Sequence, residues 1–571
     1  MDAELAGPRP LFMPSRSARM REFGSSRGEI PINLRIGISG HRYLTTDHPG
    51  LALAIAEAMT MIQAARGALT ARTPSTHVGL TVVSALAEGA DRVLAKALLG
   101  CEDTALAAGG SELTGVNDGR LEVILPLEPD NYCADFESAA SKAEFVALLE
   151  EATTVDTVKP TRSRDRAYEM AGRAVVDRSD VMVIMWDGQR ARGRGGTAEI
   201  YRYARQKRKA VIWIRVDERS AKLAETPVEM PPVLLDFATA EGIDRYNGER
   251  LSGRPFTDKY PLPADIILAA MPENGLSLVE HFSFYFVRAD VLATRFQRRW
   301  FSANRLLYSL AALAVLAVAV QLLFAPTHQA YAWFEFGILA GVTIMLLGAR
   351  HAAWHDRWIS ARYLAEQIRS FLFLALTGIQ TLDDTEPSAG WLAGPASQPG
   401  WLGRALTEIW WTRPRHDLTG NTEMLRQILM SEWVDKQLAY HIKTYQRYRT
   451  RSRRLTRIAI FLFVLSTGAA LLHSLGAESW GLRPYRLWDF FSIVVPAVGA
   501  AFSGYGAQRD YMRHAGRSQM FAATLAEASA QFKQAASPRD IQRVALGLSR
   551  MTTSETSDWY SAVRVHDVDV P

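Results

Sequence analysis

The chain has very little cysteine. Its 571 residues include two, Cys101 and Cys133, with no CxxC pair and no His/Cys spacing typical of a metal site. A disulfide framework and a zinc centre are therefore not expected, and we predict no metal ligands. The first thirty residues also lack the apolar core of a secretory signal peptide, so we expect the N-terminus to stay in the cytosol.

Two familiar phosphate-binding signatures are missing as well. The chain contains no GxxxxGK[ST] sequence, and no GxGxxG follows its first predicted strand. ATP hydrolysis of the P-loop type and hydride transfer both lose support. The charge is nearly balanced, with 65 Lys and Arg against 60 Asp and Glu. Because the excess Arg lies beside apolar segments, we expect lipid headgroups rather than nucleic acid as its partner.

Long apolar runs, in contrast, are present in the second half of the chain. Four of them have the roughly 20-residue length that spans a bilayer as a helix, and we predict two transmembrane hairpins. The predicted spans are Leu306–Ala325, Tyr331–Ala349, Ile458–Leu475 and Leu487–Ala507.

Arginine clusters at the outer ends of both hairpins, whereas their connections, Pro326–Ala330 and Gly476–Arg486, carry far less positive charge. By the positive-inside rule, both termini and the middle segment are expected in the cytosol. The chain is then a multi-pass protein of the cytoplasmic (inner) membrane. The clusters are Arg295, Arg298, Arg299 and Arg305; Arg350, Arg357, Arg362 and Arg369; Arg447, Arg449, Arg451, Arg453, Arg454 and Arg457; and Arg509, Arg513 and Arg517.

The two hairpins show signs of a common origin. A weak internal repeat, Leu364-Ala365-Glu366 and Leu525-Ala526-Glu527, is consistent with duplication of a two-helix unit. Four helices enclose little water, so a pore would need several copies, and we expect a homo-oligomer.

Shifts in composition divide the chain into an ordered series of predicted segments. They are a disordered tail (1–31), an α/β domain (32–216), a linker (217–287), a first membrane unit (288–380), a loop (381–421), a second membrane unit (422–535) and a tail (536–571).

The N-terminal part alternates short β-branched runs with helical periods. This pattern predicts a Rossmann-like α/β domain with a mostly parallel sheet, followed by the α-helical membrane domain. In such sheets, ligands bind beyond the carboxyl ends of the strands. The predicted strands are Asn33–Ile38, Val78–Ser84, Leu121–Leu125, Val181–Trp186 and Ala210–Val216, and the helices are Gly50–Ala71, Gly89–Leu99, Asp135–Leu149, Tyr168–Ser179 and Thr197–Gln206.

Three strand ends carry loops suited to an anion. Glycine lets backbone amides approach a phosphate, and Arg beside it supplies charge. Each loop also has a structural reading, because glycine can serve chain geometry alone and an acid such as Asp91 or Glu199 is favourable in a first helical turn. Their convergence at one sheet edge favours nucleotide binding. The candidates are Gly37, Ser39, Gly40, His41 and Arg42; Ser84, Glu88, Gly89, Asp91 and Arg92; and Asp187, Gly188, Gly193, Gly195, Gly196, Thr197 and Glu199.

These loops, with Leu125-Pro126-Leu127 and the Tyr168–Asp180 run, resemble the SLOG superfamily of nucleotide-handling domains. The paired hairpins and the segment Trp433-Val434-Asp435-Lys436-Gln437, with Tyr440, are similar to SLATT membrane effectors. The resemblance implies a bacterial sensor-effector: a nucleotide or nucleotide-derived second messenger binds the first domain, and the membrane helices respond during antiviral defence. The phosphoribohydrolases of the SLOG group share the motif PGGxGTxxE. At the matching position this chain has no Pro, and its spacing over Gly195–Glu199 is one residue shorter than in that motif.

Three functions remain open on the sequence. The first is the ligand-gated membrane effector, which binds its nucleotide without turnover. The second is a membrane-tethered nucleotide hydrolase or N-glycosidase, with Glu199 and Asp187 as weak catalytic candidates. The third is a transporter or structural membrane protein whose α/β domain is a scaffold. Of these, we favour binding without catalysis. The sequence leaves open whether the chain is an enzyme.

Overall fold

The computed structural model describes residues 28–42, 44, 47–100, 119–159, 161, 163–189, 195–217, 220–223, 237–251, 275–324, 326–379, 400–414, 422–475 and 486–565. The chain divides into two compact units. The first comprises residues 1–252 and 380–415, and the second comprises 253–379 and 416–571. The fold class predicted from the sequence is confirmed: an α/β unit with a mostly parallel sheet comes first, and a helical unit with long apolar helices follows.

The first unit contains a seven-stranded sheet in the order β4-β3-β2-β1-β5-β6-β7. Strands β1 to β6 are parallel, and only the edge strand β7 is antiparallel among the described residues. The three predicted strands Val78–Ser84, Val181–Trp186 and Ala210–Val216 have the predicted bounds. The strands are β1 (Ile32–Gly40), β2 (Val78–Ser84), β3 (Gly119–Leu125), β4 (Thr154–Thr157), β5 (Val181–Trp186), β6 (Ala210–Val216) and β7 (Ala221–Leu223).

Helices cover both faces of this sheet, as its apolar strands require. Helices α1 to α4 pack with Leu34, Ile36 and Ile38 of β1 on one face, and α5 and α6 pack on Met182 and Ile184 of β5 on the other. The helices are α1 (Leu51–Arg72), α2 (Ala90–Leu99), α3 (Pro129–Cys133), α4 (Ala139–Glu150), α5 (Arg164–Arg178), α6 (Thr197–Gln206) and α7 (Phe237–Asn247).

A further helix, α11 (Gly400–Trp411), belongs to this unit although in sequence it lies between the two predicted hairpins. The sequence predicted a loop over 381–421, because Pro, Gly and Ser are frequent there. The helix forms because its apolar side, including Leu402, Leu406 and Ile409, is buried. Tertiary burial therefore outweighs the local composition.

Helix α11 covers a buried polar strip on the sheet. Arg35 of β1 is fully buried and donates from Nη1 to Glu408 at 2.8 Å. Arg404 of α11 donates to Asp180 at 2.9 Å and to the backbone oxygen of Asn33. Burial would raise the pKa of Asp180, but Arg404 outweighs it and holds that pKa below the usual value.

The second unit is helical. Four of its helical stretches have the length and the apolar composition needed to cross a membrane, and their apolar windows are only 6–17% buried. Such extended apolar surface requires a lipid or protein cover. The helices are α8 (Gly275–Phe324), α9 (Ala330–Ala352), α10 (Trp354–Leu376), α12 (Thr422–Ile428), α13 (Lys436–Ser474), α14 (Arg486–Arg509), α15 (Tyr511–Gln534) and α16 (Pro538–Val565).

The two hairpins share a detail of construction. The returning helix of each ends at one residue in the left-handed region, Ala353 with φ 47° and Asp510 with φ 40°, and a new helix starts directly afterwards. The hairpins also contact each other, because Gly504 of α14 lies against the ring of Tyr308 in α8. A π-helical segment, Leu429–Asp435, joins α12 to α13.

Several segments differ from the sequence prediction at their ends. The predicted linker (217–287) contains β7, α7 and the first turns of α8. The predicted C-terminal tail (536–571) contains α16, whose apolar residues Ile541, Ala545, Leu548 and Tyr560 are buried. Both differences arise where an amphipathic segment gains its stability by packing on a neighbour. Of the predicted tail 1–31, residues 1–27 lie outside the described part of the chain.

Candidate functional site

The strand order sets the location of the site. From β1 the chain adds β2, β3 and β4 on one side, then crosses over to add β5 and β6 on the other. The carboxyl ends of β1 and β5 therefore flank the position where the winding direction reverses. In doubly wound sheets a crevice forms there, and ligands bind in it. The predicted loops after β1 and β5 both start at this position.

Glycines bring the loops after β1 and β2 into direct contact. Gly89 has φ +78°, and any Cβ there would overlap the backbone oxygens of His41 and Arg42. The amide of Ala90 donates to the oxygen of His41 at 3.0 Å. Gly40 is equally crowded, because a Cβ would lie 2.8 Å from the oxygen of Met185. These glycines are needed for backbone approach, as the structural reading proposed.

The remaining candidates of β1 lie within the strand itself. Gly37 pairs with Met182 and Ser39 with Ile184 across the β1–β5 register. A Cβ on Gly37 would overlap Ser179 and Met182, so this glycine serves helix-to-sheet packing. Ser39 lies one residue before Gly40, at the end of the strand that borders the crevice.

Arg42 is an exposed cation at the site. Its guanidinium lies 4.9 Å from the centre of the Tyr168 ring on α5. The Tyr168 hydroxyl donates to Asp135, which also pairs with Arg164 at 2.8 Å. Burial lowers the pKa of Arg42, but the neighbouring Tyr132, Tyr168 and Asp135 outweigh it and raise that pKa above its usual value. Arg42 is therefore charged and held against an aromatic face.

Asp91 is a buried carboxyl in the first turn of α2. Its side chain accepts from the Ser84 hydroxyl at 3.4 Å, and it is 5% exposed. Burial raises the pKa of Asp91 to about 7, although Ser84, Arg42 and Arg92 act in the opposite direction. Carboxyls with a pKa near neutrality are enriched at functional sites. The helix-dipole reading of Asp91 accounts for its position and not for its burial.

Two candidates of the second loop are engaged with α4. Arg92 is 1% exposed, donates from Nη1 to Glu144 at 3.1 Å and from Nε to the oxygen of Leu86 at 3.0 Å. Glu88 accepts from the hydroxyl of Ser141. These contacts tie the loop to α4, so both side chains hold the loop in position.

The loop after β5 brings Asp187 beside His41. The amide of Asp187 donates to His41 Nε2 at 3.1 Å, and Asp187 Oδ1 lies 3.4 Å from the same nitrogen. The His41 side chain is 36% exposed, so a ligand in the crevice can reach it. Gly188, with φ +85°, follows and turns the chain away from the strand.

The start of α6 approaches α5. Gly195 has φ +77°, and a Cβ there would lie 2.8 Å from the amide nitrogen of Glu169. The amide of Gly195 donates to the Glu199 carboxylate at 2.7 Å. Glu199 therefore acts as a capping residue that provides this backbone amide with a hydrogen-bond acceptor. Gly196 precedes the first helical residue, Thr197, and its oxygen accepts from the amide of Glu199 at 2.8 Å. Gly193 lies outside the described residues.

The structure therefore brings together the loops after β1, β2 and β5, and it adds side chains that the sequence analysis left without a role. Tyr132 and Asp135 follow β3, whose loop Leu125-Pro126-Leu127 was noted only as a resemblance. The Tyr132 ring lies 6.0 Å from that of Tyr168. Tyr132 and Asp135 could have been found from their position after a parallel strand, because residues at the carboxyl ends of neighbouring strands lie at the same edge of the sheet.

The chain has no match among protein-family models and none among curated proteins.

Proposed function

We propose that the chain is a membrane-bound sensor and effector that binds a nucleotide or nucleotide-derived signal at the switch point of its α/β unit. One observation carries this proposal: the glycine-rich loops after β1, β2 and β5 converge there beside Arg42, in a chain that also has four long apolar helices. The resemblance to SLOG and SLATT proteins supports a role in prokaryotic antiviral defence.

Helix α11 offers a covalent route from sensor to effector. It belongs to the α/β unit, yet the chain on either side of it leads to the two hairpins. Its Arg404 and Glu408 bind β1 and the residue preceding β5, the two strands that border the crevice. A ligand that shifts these strands would therefore move the segment that joins the hairpins. The ligand must bind one arrangement more tightly than the other for this to occur.

The apolar helices support a multi-pass membrane protein. The arginine clusters at the outer ends of the hairpins support a place in the inner membrane with both termini in the cytosol. The α/β unit would then meet cytosolic nucleotides. Assembly of several copies fits the exposure of the apolar windows, and a conducting path would need it.

The full-length protein in neutral detergent is the right sample, because α11 completes the α/β unit. Its thermal unfolding would be followed with linear, cyclic and ADP-ribose-type nucleotides, and each nucleotide would afterwards be recovered by chromatography. A ligand at 100 times its Kd stabilises the folded state by about 2.7 kcal/mol. We expect one class to raise the midpoint and to be recovered intact.

Arg42→Gln should weaken this response about 10-fold or more, because a charge-assisted hydrogen bond is worth about 1.5–3 kcal/mol. The matched control is Arg72→Gln on α1, whose side chain is 53% exposed and pairs with Glu241. It should respond like the parent protein. Absence of stabilisation by every nucleotide would refute the sensor proposal and favour a scaffold role.

A hydrolase is the second candidate, and the His41–Asp187 contact favours it. An imidazole within 3.4 Å of a carboxylate is suited to proton transfer. Recovery of a cleaved nucleotide, with loss of cleavage in His41→Gln, would move the protein to this class. The Glu199→Gln variant tests one of the two weak catalytic candidates from the sequence, although its carboxylate is engaged by Gly195.

A further inference from the structure

The helical unit contains a cavity of about 290 Å³ that the proposed function does not use. It lies where the Arg-rich ends of both hairpins meet, and α8, α10, α13, α14, α15 and α16 all contribute to its wall. Phe301 in the wall lies five residues before the first predicted span, and Arg509 lies two residues after the last. The cavity is therefore at the level where lipid phosphates are expected.

Its wall is rich in arginine. Arg362, Arg369, Arg509 and Arg517 line it, and Glu366 is the acidic residue among the described lining residues. Glu366 pairs with Arg362 and, at 2.7 Å, with Arg369, while Arg362 also lies 3.4 Å from Asp290. These two arginines are thus neutralised within the protein.

The other two arginines have no carboxylate partner within the part of the chain that the structure describes. Arg517 donates from Nη2 to the backbone oxygen of Glu555 at 2.6 Å, and its guanidinium lies 5.6 Å from the ring of Trp559. Arg509 lies 3.5 Å above the Phe301 ring and donates to the Tyr505 hydroxyl at 3.0 Å. The negative charges that act on Arg517 are those of Glu555, Glu366 and Asp558.

Two partly buried guanidinium groups without a carboxylate favour an anion, and phosphate matches their fork of donors. The rest of the wall suits the ester part of such a ligand. The imidazole of His441 stacks on Phe521 at 4.7 Å, and its Nδ1 is buried without a hydrogen-bond partner among the described residues. Trp433 is held by stacking on Phe373 at 5.1 Å.

Sequence features with no other explanation also meet here. Trp433, Gln437 and Tyr440, from the segment quoted for its resemblance to membrane effectors, line the cavity together. Their spacing of four and three residues places them on one side of the helix. The repeated triplets contribute Glu366 and Leu525 to the same wall.

We infer that this cavity binds a phosphate ester, with the phosphate on Arg509 and Arg517 and the ester group against the aromatic wall. The ester is either the headgroup of an anionic phospholipid or a free nucleotide. Because α8 of the first hairpin and α13 and α14 of the second all line the cavity, its occupant would hold the hairpins in one arrangement. The site is separate from the switch point of the α/β unit, and the inference does not depend on the function proposed there.

The test uses the full-length protein in neutral detergent and measures the thermal midpoint. Short-chain phosphatidylglycerol is compared with short-chain phosphatidylcholine, and AMP and ADP-ribose are added in separate samples. Arg517→Gln is compared with Arg513→Gln, a control four residues earlier on α15 whose side chain is 60% exposed. All nucleotide samples are repeated in Arg42→Gln, which weakens the response of the first unit.

We expect saturable stabilisation by phosphatidylglycerol or by a nucleotide, at least about 10-fold weaker in Arg517→Gln and unchanged in Arg513→Gln. The compound that stabilises identifies the source of the phosphate. Arg517→Lys should recover part of the affinity, and Arg509→Gln replaces Arg517→Gln if that variant does not fold. The inference would be overturned if phosphatidylglycerol, AMP and ADP-ribose all failed to stabilise the protein, or if Arg513→Gln and Arg517→Gln lost the effect equally.

Discussion

Asp91 shows how one buried carboxyl links the loop after β2 to the loop after β1. It accepts from Ser84 in its own loop and lies near the guanidinium of Arg42. Burial separates its folded-state pKa, about 7, from the unfolded value of about 3.9. A ligand phosphate near Arg42 would compete with Asp91 for the same positive charge, so binding and protonation of Asp91 are expected to be coupled.

Replacing Asp91 with Asn should change how stability depends on pH. Between the unfolded and folded pKa values only the folded state keeps the proton, so the parent protein loses up to about 1.4 kcal/mol per pH unit as pH rises. This contribution is complete below about pH 4 and is lost above about pH 7. Asp91→Asn cannot lose a proton at this position.

The midpoints of unfolding of the parent and Asp91→Asn proteins, measured in parallel from pH 5 to pH 8, check this expectation. Asp91→Asn should gain stability relative to the parent up to about pH 7 and then stay level. Hydrogen bonds lost on substitution shift the two curves by a constant amount and leave this slope intact. Parallel curves would mean that Asp91 is already ionised at pH 5.

Besides its buried apolar side, helix α11 is held by charged groups that are removed from water. Glu408 is fully buried, accepts from Arg35 at 2.8 Å and from the Asn33 side chain at 2.9 Å, and forms an ion pair with Arg404 at 2.9 Å. Arg35 is also fully buried and has Glu122 at 3.4 Å on its other side. Loss of one member of such a network leaves an uncompensated charge inside the protein.

Glu408→Gln should therefore destabilise the α/β unit by about 3–5 kcal/mol, the usual effect of breaking a buried ion pair. For a unit of this size the midpoint should fall by on the order of 10 °C. Glu241→Gln is the control, because Glu241 is 47% exposed and pairs with Arg72 at 3.5 Å. Equal midpoints for the two variants would show that α11 does not support the sheet.

The same elements show what the sequence could predict. Strands β2, β5 and β6 had the predicted bounds because they are apolar and buried on both faces, which leaves a clear local signal. The loop interpretation of 381–421 missed α11, because the partners of Glu408 lie more than 370 residues away. Alternating polar residues, Asn33 and Arg35 in β1, were the available sign of a second polar element above the sheet.

The candidate site was predictable only in part, for a related reason. Glycine patterns located the loops, and Gly40, Gly89 and Gly195 indeed sit at close backbone approaches. The sequence could not separate Arg42, which lies at the site, from Arg92, which is buried against α4. That difference depends on where Glu144 and Tyr168 lie, and neither position follows from local spacing.

At the scale of the whole molecule, the order of segments along the chain has a mechanical consequence. The α/β unit is completed by residues 380–415, which stand between the two hairpins. The two apolar hairpins are thus joined through a helix of the other unit, and not by a simple linker. Any force that α11 transmits would reach both hairpins at once, as the proposed sensor-effector function requires.

This arrangement needs the Arg-rich ends of both hairpins on the same side of the membrane as the α/β unit. Cysteine labelling can test that orientation, after Cys101 and Cys133 are replaced by Ser. Thr327→Cys lies in the connection of the first hairpin, and Ala536→Cys lies between α15 and α16; both positions are exposed. In intact spheroplasts an impermeant maleimide should label Thr327→Cys, since lysine and arginine favour the cytosolic side. Ala536→Cys should be labelled only after lysis.

Labelling of both positions before lysis, or the reverse pattern, would contradict the proposed topology. The switch point could then not be reached by cytosolic nucleotides.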